Sequence, residues 1–359
     1  MIARYRTKAI EDIIGDRYTP EDYPVLRDQI EKWKVLNPFD GLKLLDATPV
    51  FSNTLIKHLA LIRAGACLTV GISDNIAHDP KILDVLQNAG VQVVNNKQKA
   101  SGQDLILDCA ACFSHWKARL GYVELTRSGV ELYAQKNKRV FVADSGKIKR
   151  IETVLGTGES YFRAMKELGY TQWNNTSLVV FGSGKVGCGI ALYALKLGAR
   201  VTVVSDLNVR DDQLPPVDAE YIAFTDRQAV GVAVKKAYAV VMATGIAGSF
   251  QKDCPQEYWK ASKALLANMG VEDEFGPDVP EARVLMHKKT LNFMLDEPTH
   301  LRYIDPTMAL HNRGAGYLLY NTETTGMIEP PATIEEELLS ICKSKGKISD
   351  EIADLFVQK

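Results

Sequence analysis

Short apolar runs alternate with longer amphipathic stretches along most of the chain. Runs of strand length are followed by stretches in which apolar residues recur at helical spacing. In the first half, this pattern predicts strands over residues 42–47, 67–72, 91–94, 104–108 and 139–144, with helices over 52–64 and 80–89. Such a β-α-β-α alternation favours a parallel sheet with helices on both faces.

A second alternating series begins near Gly158. It predicts strands over residues 178–181, 200–204, 237–243, 264–268, 283–286 and 291–294, with helices over 161–168, 186–197 and 306–319. Two further helices are predicted over 333–343 and 349–356, and Thr19 followed by Pro20 predicts a helix start near the N-terminus. The pattern therefore predicts an α/β protein with two doubly wound, Rossmann-like domains.

Composition and charge narrow the class of partner. The chain has 359 residues, a net charge of -1 and 46% hydrophobic residues, which gives no electrostatic case for nucleic acid or an anionic membrane. Its most apolar stretch, residues 177–199, is interrupted by Lys185 and Lys196, so we expect no membrane span. The first residues show no secretory signal, and the six cysteines are expected to be reduced thiols in a cytoplasmic protein.

A glycine-rich segment lies directly between a predicted strand and a predicted helix. It reads Gly182, Ser183, Gly184, Lys185, Val186 and Gly187. In the G-x-G-x-x-G motif, the first glycine allows a tight turn, the second lets the backbone approach a pyrophosphate, and the third lets helix and strand pack closely. The free N–H groups at the start of the helix would then bind the phosphates.

Asp206 strengthens the prediction of a dinucleotide site. It ends the next predicted strand, 19 residues beyond Gly187, where the motif places an acid for the ribose hydroxyls. A carboxylate there repels a 2′-phosphate, so NAD is favoured over NADP as the cofactor, although the nearby Arg210 leaves NADP open. The alternative is a glycine-rich turn in a domain that binds nothing.

Two later strands also end in residues suited to a cofactor. Thr244 and Gly245 follow one predicted strand, and Asn268 ends another. Ligands of open parallel sheets bind at the carboxyl ends of the strands. We therefore predict that these three residues contact the nicotinamide side of the cofactor.

Several segments, in the same order along the chain, resemble S-adenosylhomocysteine hydrolases. The most specific is the segment around Asp144 and Ser145 followed by Glu159 and Ser160, which is similar to the hinge of that family. The other matching segments are residues 54–59, 104–108, 182–189, 268–270 and 308–311. The resemblance is remote and extends over most of the chain.

The resemblance implies an architecture and a chemistry. It implies a substrate domain of residues 1–155 plus 312–359, and an inserted NAD domain of residues 156–311. Family members use bound NAD to oxidise a ribose hydroxyl, eliminate homocysteine, add water and reduce the ketone again. It also implies a homo-oligomer, a dimer or a tetramer, that acts on a small-molecule substrate.

The substrate half departs from the family more than the cofactor half does. An early family histidine falls at Ala47, a second acid at Cys109 and the hinge lysine at Ile148. The histidine after Asn-Ile-Gly falls at Val271, whereas the last family histidine is kept as His311. The resemblance therefore implies a divergent member with an altered substrate site.

The candidate catalytic residues follow from these matches. Lys147 and Lys149 flank the position of the missing lysine, and Glu152 replaces the family acid after it. His311 could act as an acid or base near neutral pH, or lie at a helix end without a role. Asp108 ends a buried strand, and Thr126 is a candidate for the nicotinamide ribose.

A C-x-x-C pair, Cys109 and Cys112, raises the question of metal or redox chemistry. No second pair stands at zinc spacing, so we predict no metal. We interpret the pair as small buried residues that replace an acid-glycine loop.

Three functions remain open from the sequence. The first is an NAD-dependent oxidoreductase on a small hydroxyl compound. The second is a hydrolase or lyase that uses bound NAD in an oxidise–eliminate–reduce cycle on a nucleoside-like thioether. The third is a non-catalytic NAD-binding regulator.

Overall fold

Most strands are short runs rich in Leu, Val and Ile, and the central strands are buried on both faces. This burial is typical of parallel sheets that helices cover on both sides. The computed structural model describes residues 5–74, 76–99, 102–209 and 214–356. The strands are β1 (Lys43–Asp46), β2 (Cys67–Ile72), β3 (Gln92–Asn95), β4 (Gln103–Asp108), β5 (Ala118–Glu124), β6 (Val140–Val142), β7 (Ser177–Phe181), β8 (Arg200–Ser205), β9 (Glu220–Ala223), β10 (Ala239–Met242), β11 (Leu265–Asn268) and β12 (Met327–Ile328).

Helices connect most of these strands. They are α1 (Lys8–Arg17), α2 (Pro24–Leu36), α3 (Leu55–Arg63), α4 (Pro80–Asn88), α5 (Arg127–Ala134), α6 (Gly146–Arg150), α7 (Gly158–Glu167), α8 (Lys185–Lys196), α9 (Arg227–Lys236), α10 (Ser249–Asp253), α11 (Gln256–Ala261), α12 (Leu301–Tyr320), α13 (Ala332–Lys345) and α14 (Ser349–Leu355). A π-helix, Ile151–Thr157, joins α6 to α7. None of the described helices combines the length and the apolar character that a membrane crossing needs.

The chain divides into two units. The first unit holds the residues up to Ile151 together with His300–Ile352. The second unit holds Glu152–Thr299 and the residues from Ala353 onward. The resemblance implied a return to the first domain at residue 312, which lies inside α12; here all of α12 belongs to the first unit.

The first unit is built on a seven-stranded sheet in the order β12-β6-β5-β4-β1-β2-β3. All described pairs in it are parallel. The chain places β2 and β3 on one side of β1 and then crosses to place β4, β5 and β6 on the other. The order of the strands therefore reverses between β1 and β4, and at such a switch point open sheets bind ligands.

The second unit is built on a five-stranded parallel sheet in the order β11-β10-β7-β8-β9. Here the order reverses between β7 and β10. Alternate residues of β7 face opposite sides: Leu178 and Val180 pack with Tyr161, and Val179 and Phe181 pack with Phe250 and its neighbours. Both faces of the strand are therefore covered, as the continuous apolar run predicted.

Two glycines let α7 and α8 approach very closely within the second unit. A Cβ atom on Gly158 would lie 2.5 Å from the backbone of Gly189. A Cβ on Gly189 would in turn lie 2.0 Å from the carbonyl oxygen of Val154. No side chain fits at either position without displacing backbone atoms.

The structure confirms the predicted fold class, a mixed α/β protein with two parallel sheets. The strands predicted over 283–286 and 291–294 are wrong: these residues form 3-10 turns, and Met286 and His287 have left-handed backbones that no strand can contain. The helix predicted at Thr19 is a single 3-10 turn, Pro20–Asp22, and α2 starts later at Pro24.

The sequence pattern did not reveal β5. This strand contains Arg119 and Gly121, which break the apolar run, and Gly121 has a φ of 135°. Its pairing with β4 is irregular near Gln103 and Leu105. Tertiary contacts with β4 and β6 therefore override a weak local preference for the strand.

Candidate functional site

The loop after β7 has the geometry of a dinucleotide-binding loop. Gly182 has a φ of 101°, and a Cβ on it would lie 2.5 Å from the carbonyl oxygen of Ala243. A Cβ on Gly187 would lie 2.0 Å from the carbonyl oxygen of Gly182. The outer glycines are therefore required by the close approach of β7, β10 and α8.

Gly184 is different, because a Cβ on it would meet nothing within 4 Å. It is exposed, and it precedes α8 in an extended conformation with no side chain capping the helix. Ser183, Lys185 and Val186 beside it are half-buried. The N–H groups of the first turn of α8 thus face open space, which suits an anionic group such as a pyrophosphate.

Asp206 follows β8 and lies beside the same loop. It lines a cavity of about 320 Å³ together with Ser183, Gly187 and Tyr221. One carboxylate oxygen of Asp206 accepts hydrogen bonds from the N–H and the side-chain amide of Asn208, at 3.0 and 3.2 Å. Arg210, which left NADP open, lies outside the described residues.

Thr244 and Gly245 follow β10 on the other side of the switch point, and a buried carboxylate holds both. Glu274 accepts hydrogen bonds from the N–H and hydroxyl of Thr244, at 2.8 and 2.6 Å, and from the N–H of Gly245, at 3.0 Å. Burial raises the pKa of Glu274. Sequence reasoning missed Glu274, since only tertiary structure brings it to this loop.

Asn268 lies at the end of β11 and is completely buried. Its amide nitrogen points to the carbonyl oxygens of Gly270, Glu272 and Lys288, at 3.3, 2.7 and 2.8 Å. Its side chain thus braces the segment after β11.

In the first unit, three strands end in completely buried carboxylates. Asp46 ends β1, Asp108 ends β4 and Glu124 ends β5. Because β1, β4 and β5 are neighbours in the sheet, the three acids lie along one edge, with Asp108 opposite Glu124. This edge includes the switch point between β1 and β4.

Backbone groups hold Asp108 and Glu124. Asp108 accepts hydrogen bonds from the N–H groups of Cys109 and Phe113 and, at 2.6 Å, from the hydroxyl of Tyr133. Burial raises its pKa to about 6. Burial, and then the charge of Asp108, raise the pKa of Glu124 to about 8.

Thr126 supports Glu124 instead of standing alone. Its hydroxyl donates to the Glu124 carboxylate at 2.8 Å and accepts from the N–H of Gly129, so that it caps α5. Thr126 belongs to the first unit, whereas the glycine loop belongs to the second.

The C-x-x-C pair forms a tight turn around the same carboxylate. Ala110 and Ala111 both have left-handed backbones, with φ of 55° and 53°, and both N–H groups donate to Glu124 at 3.0 Å. Cys109 and Cys112 are free thiols. Among the described residues, no three histidine, cysteine or acidic side chains are grouped as a metal site would require.

A buried ion pair lies at the end of β1. The ammonium of Lys57, on α3, contacts the carboxylate of Asp46, and both side chains are completely buried. Thr48 donates its N–H and hydroxyl to the other oxygen of Asp46 at 3.0 and 2.6 Å. Burial, and then the charge of Lys57, lower the pKa of His58 to about 3.

His311 reaches the same edge from α12. Its Nε2 lies 3.0 Å from the carbonyl oxygen of Val123, and its Nδ1 has no hydrogen-bond partner among the described residues. Burial, and then the charge of Lys57, lower the pKa of His311. The imidazole is therefore neutral, with the proton on Nε2 and a free electron pair on Nδ1.

The remaining candidates separate. Lys149 is buried, and its ammonium lies 4.0 Å from the carboxylate of Asp144. Lys147 is exposed, and Glu152 is half-buried at the start of the π-helix in the second unit. The first unit thus brings together Asp108, Lys149 and His311.

Sequence reasoning missed Asp46, Lys57 and His58. Their signal is the interruption of apolar runs: Asp46 follows two buried leucines, and Lys57 and His58 stand among apolar residues in α3, where exposed charges would disturb the pattern. Charged residues that occupy core positions are rarely fully buried without a partner.

The likeness to known proteins is distant. No protein-family model and no curated protein matches the chain. Among solved structures, it resembles the A chain of the dipicolinate synthase from Bacillus halodurans, with a TM-score of 0.44 and 11% identity, covering 80% of this chain and 99% of that chain. It also resembles a transhydrogenase from Sinorhizobium meliloti, with a TM-score of 0.44 and 13% identity, covering 80% of this chain and 97% of that chain.

Proposed function

We propose that this chain is an NAD-dependent oxidoreductase that oxidises a hydroxyl group on a small substrate. The observation that carries the proposal is the loop after β7. Gly182 and Gly187 have no room for a side chain, whereas Gly184 stands open in front of α8. Steric demand at the outer glycines and free space at the middle one are what a bound pyrophosphate requires.

The residues that would hold the cofactor lie in the second unit. The N–H groups at the start of α8 would bind the pyrophosphate, and Asp206 would bind the ribose hydroxyls and disfavour a 2′-phosphate. Thr244 and Gly245, fixed by Glu274, would lie on the nicotinamide side. When bound, NAD supplies a hydride acceptor for the carbon that carries the hydroxyl.

The first unit would bind the substrate and receive the proton of its hydroxyl. His311 is suited to this because its ring is neutral and Nδ1 keeps its electron pair. Burial excludes water from the same edge, which strengthens the electrostatic interactions there. We therefore assign His311 as the general base, with Lys149 and Asp108 beside it.

Calorimetry with NAD and NADP tests cofactor binding. The variant Gly184→Val fills the open space, so we expect NAD affinity to fall at least about tenfold with an unchanged unfolding temperature. The control Gly15→Val makes the same change at another open glycine, on α1, and should bind NAD normally. If wild type binds neither nucleotide, the proposal is wrong.

A paired assay separates the three candidate functions. The protein is supplied with NAD and S-adenosylhomocysteine, and then with a panel of small hydroxyl compounds, while thiol release and reduced nicotinamide are followed together. Net formation of NADH supports the oxidoreductase. Thiol release without net NADH would indicate the redox-neutral hydrolase cycle instead, and NAD binding without any turnover would indicate a regulator.

A further inference from the structure

The switch point of the first sheet contains more buried polar groups than its own hydrogen bonds satisfy. Lys57 is completely buried, and Asp46 is its one hydrogen-bonding partner for the side chain among the described residues. On α12, three buried polar atoms have no partner among the described residues: Thr307 Oγ1, His311 Nδ1 and Asn312 Oδ1. Leaving such groups unsatisfied costs about 1–3 kcal/mol each, so their convergence indicates a bound polar group.

Lys57 and α12 are neighbours in the first unit. The side-chain amide of Asn312 approaches the carbonyl oxygen of Lys57 at 3.5 Å, which places α3 against α12 next to His311. The charge of Lys57 also reaches the His311 ring, whose pKa it lowers. Both residues lie at the carboxyl edge of the sheet, where the strand order reverses between β1 and β4.

The hydrogen-bonding needs of the two side chains are complementary. Asp46 occupies one N–H donor of Lys57, which leaves at least one donor in either protonation state. His311 donates from Nε2 to Val123, which leaves Nδ1 as an acceptor. A single hydroxyl group satisfies both residues, because its oxygen accepts from Lys57 while its proton points to Nδ1. A carboxylate or a carbonyl satisfies only Lys57.

We propose that Lys57 and His311 form a binding site for a hydroxyl group of a small alcohol, with Lys57 donating to the oxygen and His311 Nδ1 accepting the proton. This inference rests on the proposed function, because it names the groups that hold the hydroxyl to be oxidised. When the O–H bond breaks, the proton moves to Nδ1 and the electron pair stays on the oxygen that faces Lys57. Asp46 and Thr48 position Lys57 without contacting the ligand.

Trifluoroethanol, observed by fluorine NMR at millimolar concentration, tests the site without cofactor or turnover. Wild type should broaden the fluorine signal saturably. The methyl ether of the same alcohol, which has no proton to donate, should bind at least about tenfold more weakly. Absence of saturable binding by the folded wild type, as expected if only water occupies this place, would overturn the proposal.

Two variants remove one half of the site each. His311→Gln keeps a donor toward Val123 and removes the Nδ1 acceptor, while the double variant Asp46→Asn, Lys57→Met removes the amine without leaving a buried unpaired charge. Both should weaken trifluoroethanol binding at least about tenfold. The control His58→Leu removes another buried polar ring nearby and should bind as wild type does. Equal affinity in all variants would overturn the assignment.

The same samples separate this inference from the proposed function. NAD affinity, measured by calorimetry, depends on the second unit and should be unchanged in His311→Gln and in the double variant. Loss of trifluoroethanol binding with intact NAD affinity supports the site. If wild type binds trifluoroethanol but not NAD, the oxidoreductase fails while the hydroxyl site stands. If the double variant does not fold, the comparison of His311→Gln with His58→Leu decides.

Discussion

Glu274 accepts hydrogen bonds from both the N–H and the hydroxyl of Thr244, at 2.8 and 2.6 Å. The carboxylate also accepts from Gly245, and a Cβ on Gly270 would lie 2.0 Å from it. A side chain from the segment after β11 therefore fixes the loop after β10. This loop lies at the switch point of the second sheet, opposite the glycine loop.

The variant Glu274→Gln should loosen this loop. An amide can accept at its oxygen, but its NH₂ group would face an N–H donor of the loop, so we expect the free energy of unfolding to fall by about 1–3 kcal/mol. NAD affinity should fall as well, because Thr244 and Gly245 lose their fixed positions. Urea unfolding and calorimetry measure the two effects. The exposed Glu272→Gln is the control, and an equal response of both variants would contradict the prediction.

The variant Asp206→Ser should change the preference between cofactors. Removing the carboxylate removes an acceptor for the ribose hydroxyls and the repulsion of a 2′-phosphate. We expect the ratio of NAD affinity to NADP affinity to fall by about tenfold, which corresponds to about 1.4 kcal/mol. Titration with both nucleotides measures this ratio, with the exposed Asp218→Ser as the control. An unchanged ratio would mean that Asp206 does not contact the ribose.

The variant Gly189→Ala should destabilise the second unit. The new methyl group would lie 2.0 Å from the carbonyl oxygen of Val154, so the backbone of α8 or of the π-helix must move. Overpacking of this kind costs about 1–3 kcal/mol of unfolding free energy. By contrast, Gly15→Ala has open space and should stabilise α1 by about 1 kcal/mol. Urea unfolding of both variants gives the comparison.

His58 should make stability depend on pH. Burial and Lys57 lower its pKa to about 3 in the folded chain, below the usual value of 6.5. The unfolded chain thus binds a proton first as pH falls, so the stabilisation is full above pH 6.5 and is lost between there and about pH 3. From pH 7 to pH 5 the loss is about 2 kcal/mol for this residue.

Urea unfolding at these two pH values checks the sign. His58→Leu should lose about 2 kcal/mol less than wild type on acidification, and the exposed His115→Leu should behave as wild type does. The pKa of His311 is lowered as well, so some pH dependence should persist in His58→Leu. A variant that loses stability on acidification as much as wild type would show that His58 does not carry the effect.

Local signals were sufficient for much of the fold. The apolar runs that became β1, β2, β4 and β7 are buried on both faces, and their residues are adjacent in the sequence. Where a run lacked this signal, as in β5, or an apolar run lacked a free neighbouring strand, as at residues 291–294, prediction failed. Strand formation depends on pairing partners that are distant in sequence.

The sequence by itself determined the glycine loop and its place between a strand and a helix, because close backbone approach excludes every side chain at Gly182 and Gly187. It also determined the two-sheet α/β class through the period of its apolar residues. Only the tertiary structure decided which charged residues share one site. Asp46, Lys57, Asp108 and His311 lie far apart in sequence and meet because parallel strands place all their carboxyl ends at one edge of the sheet.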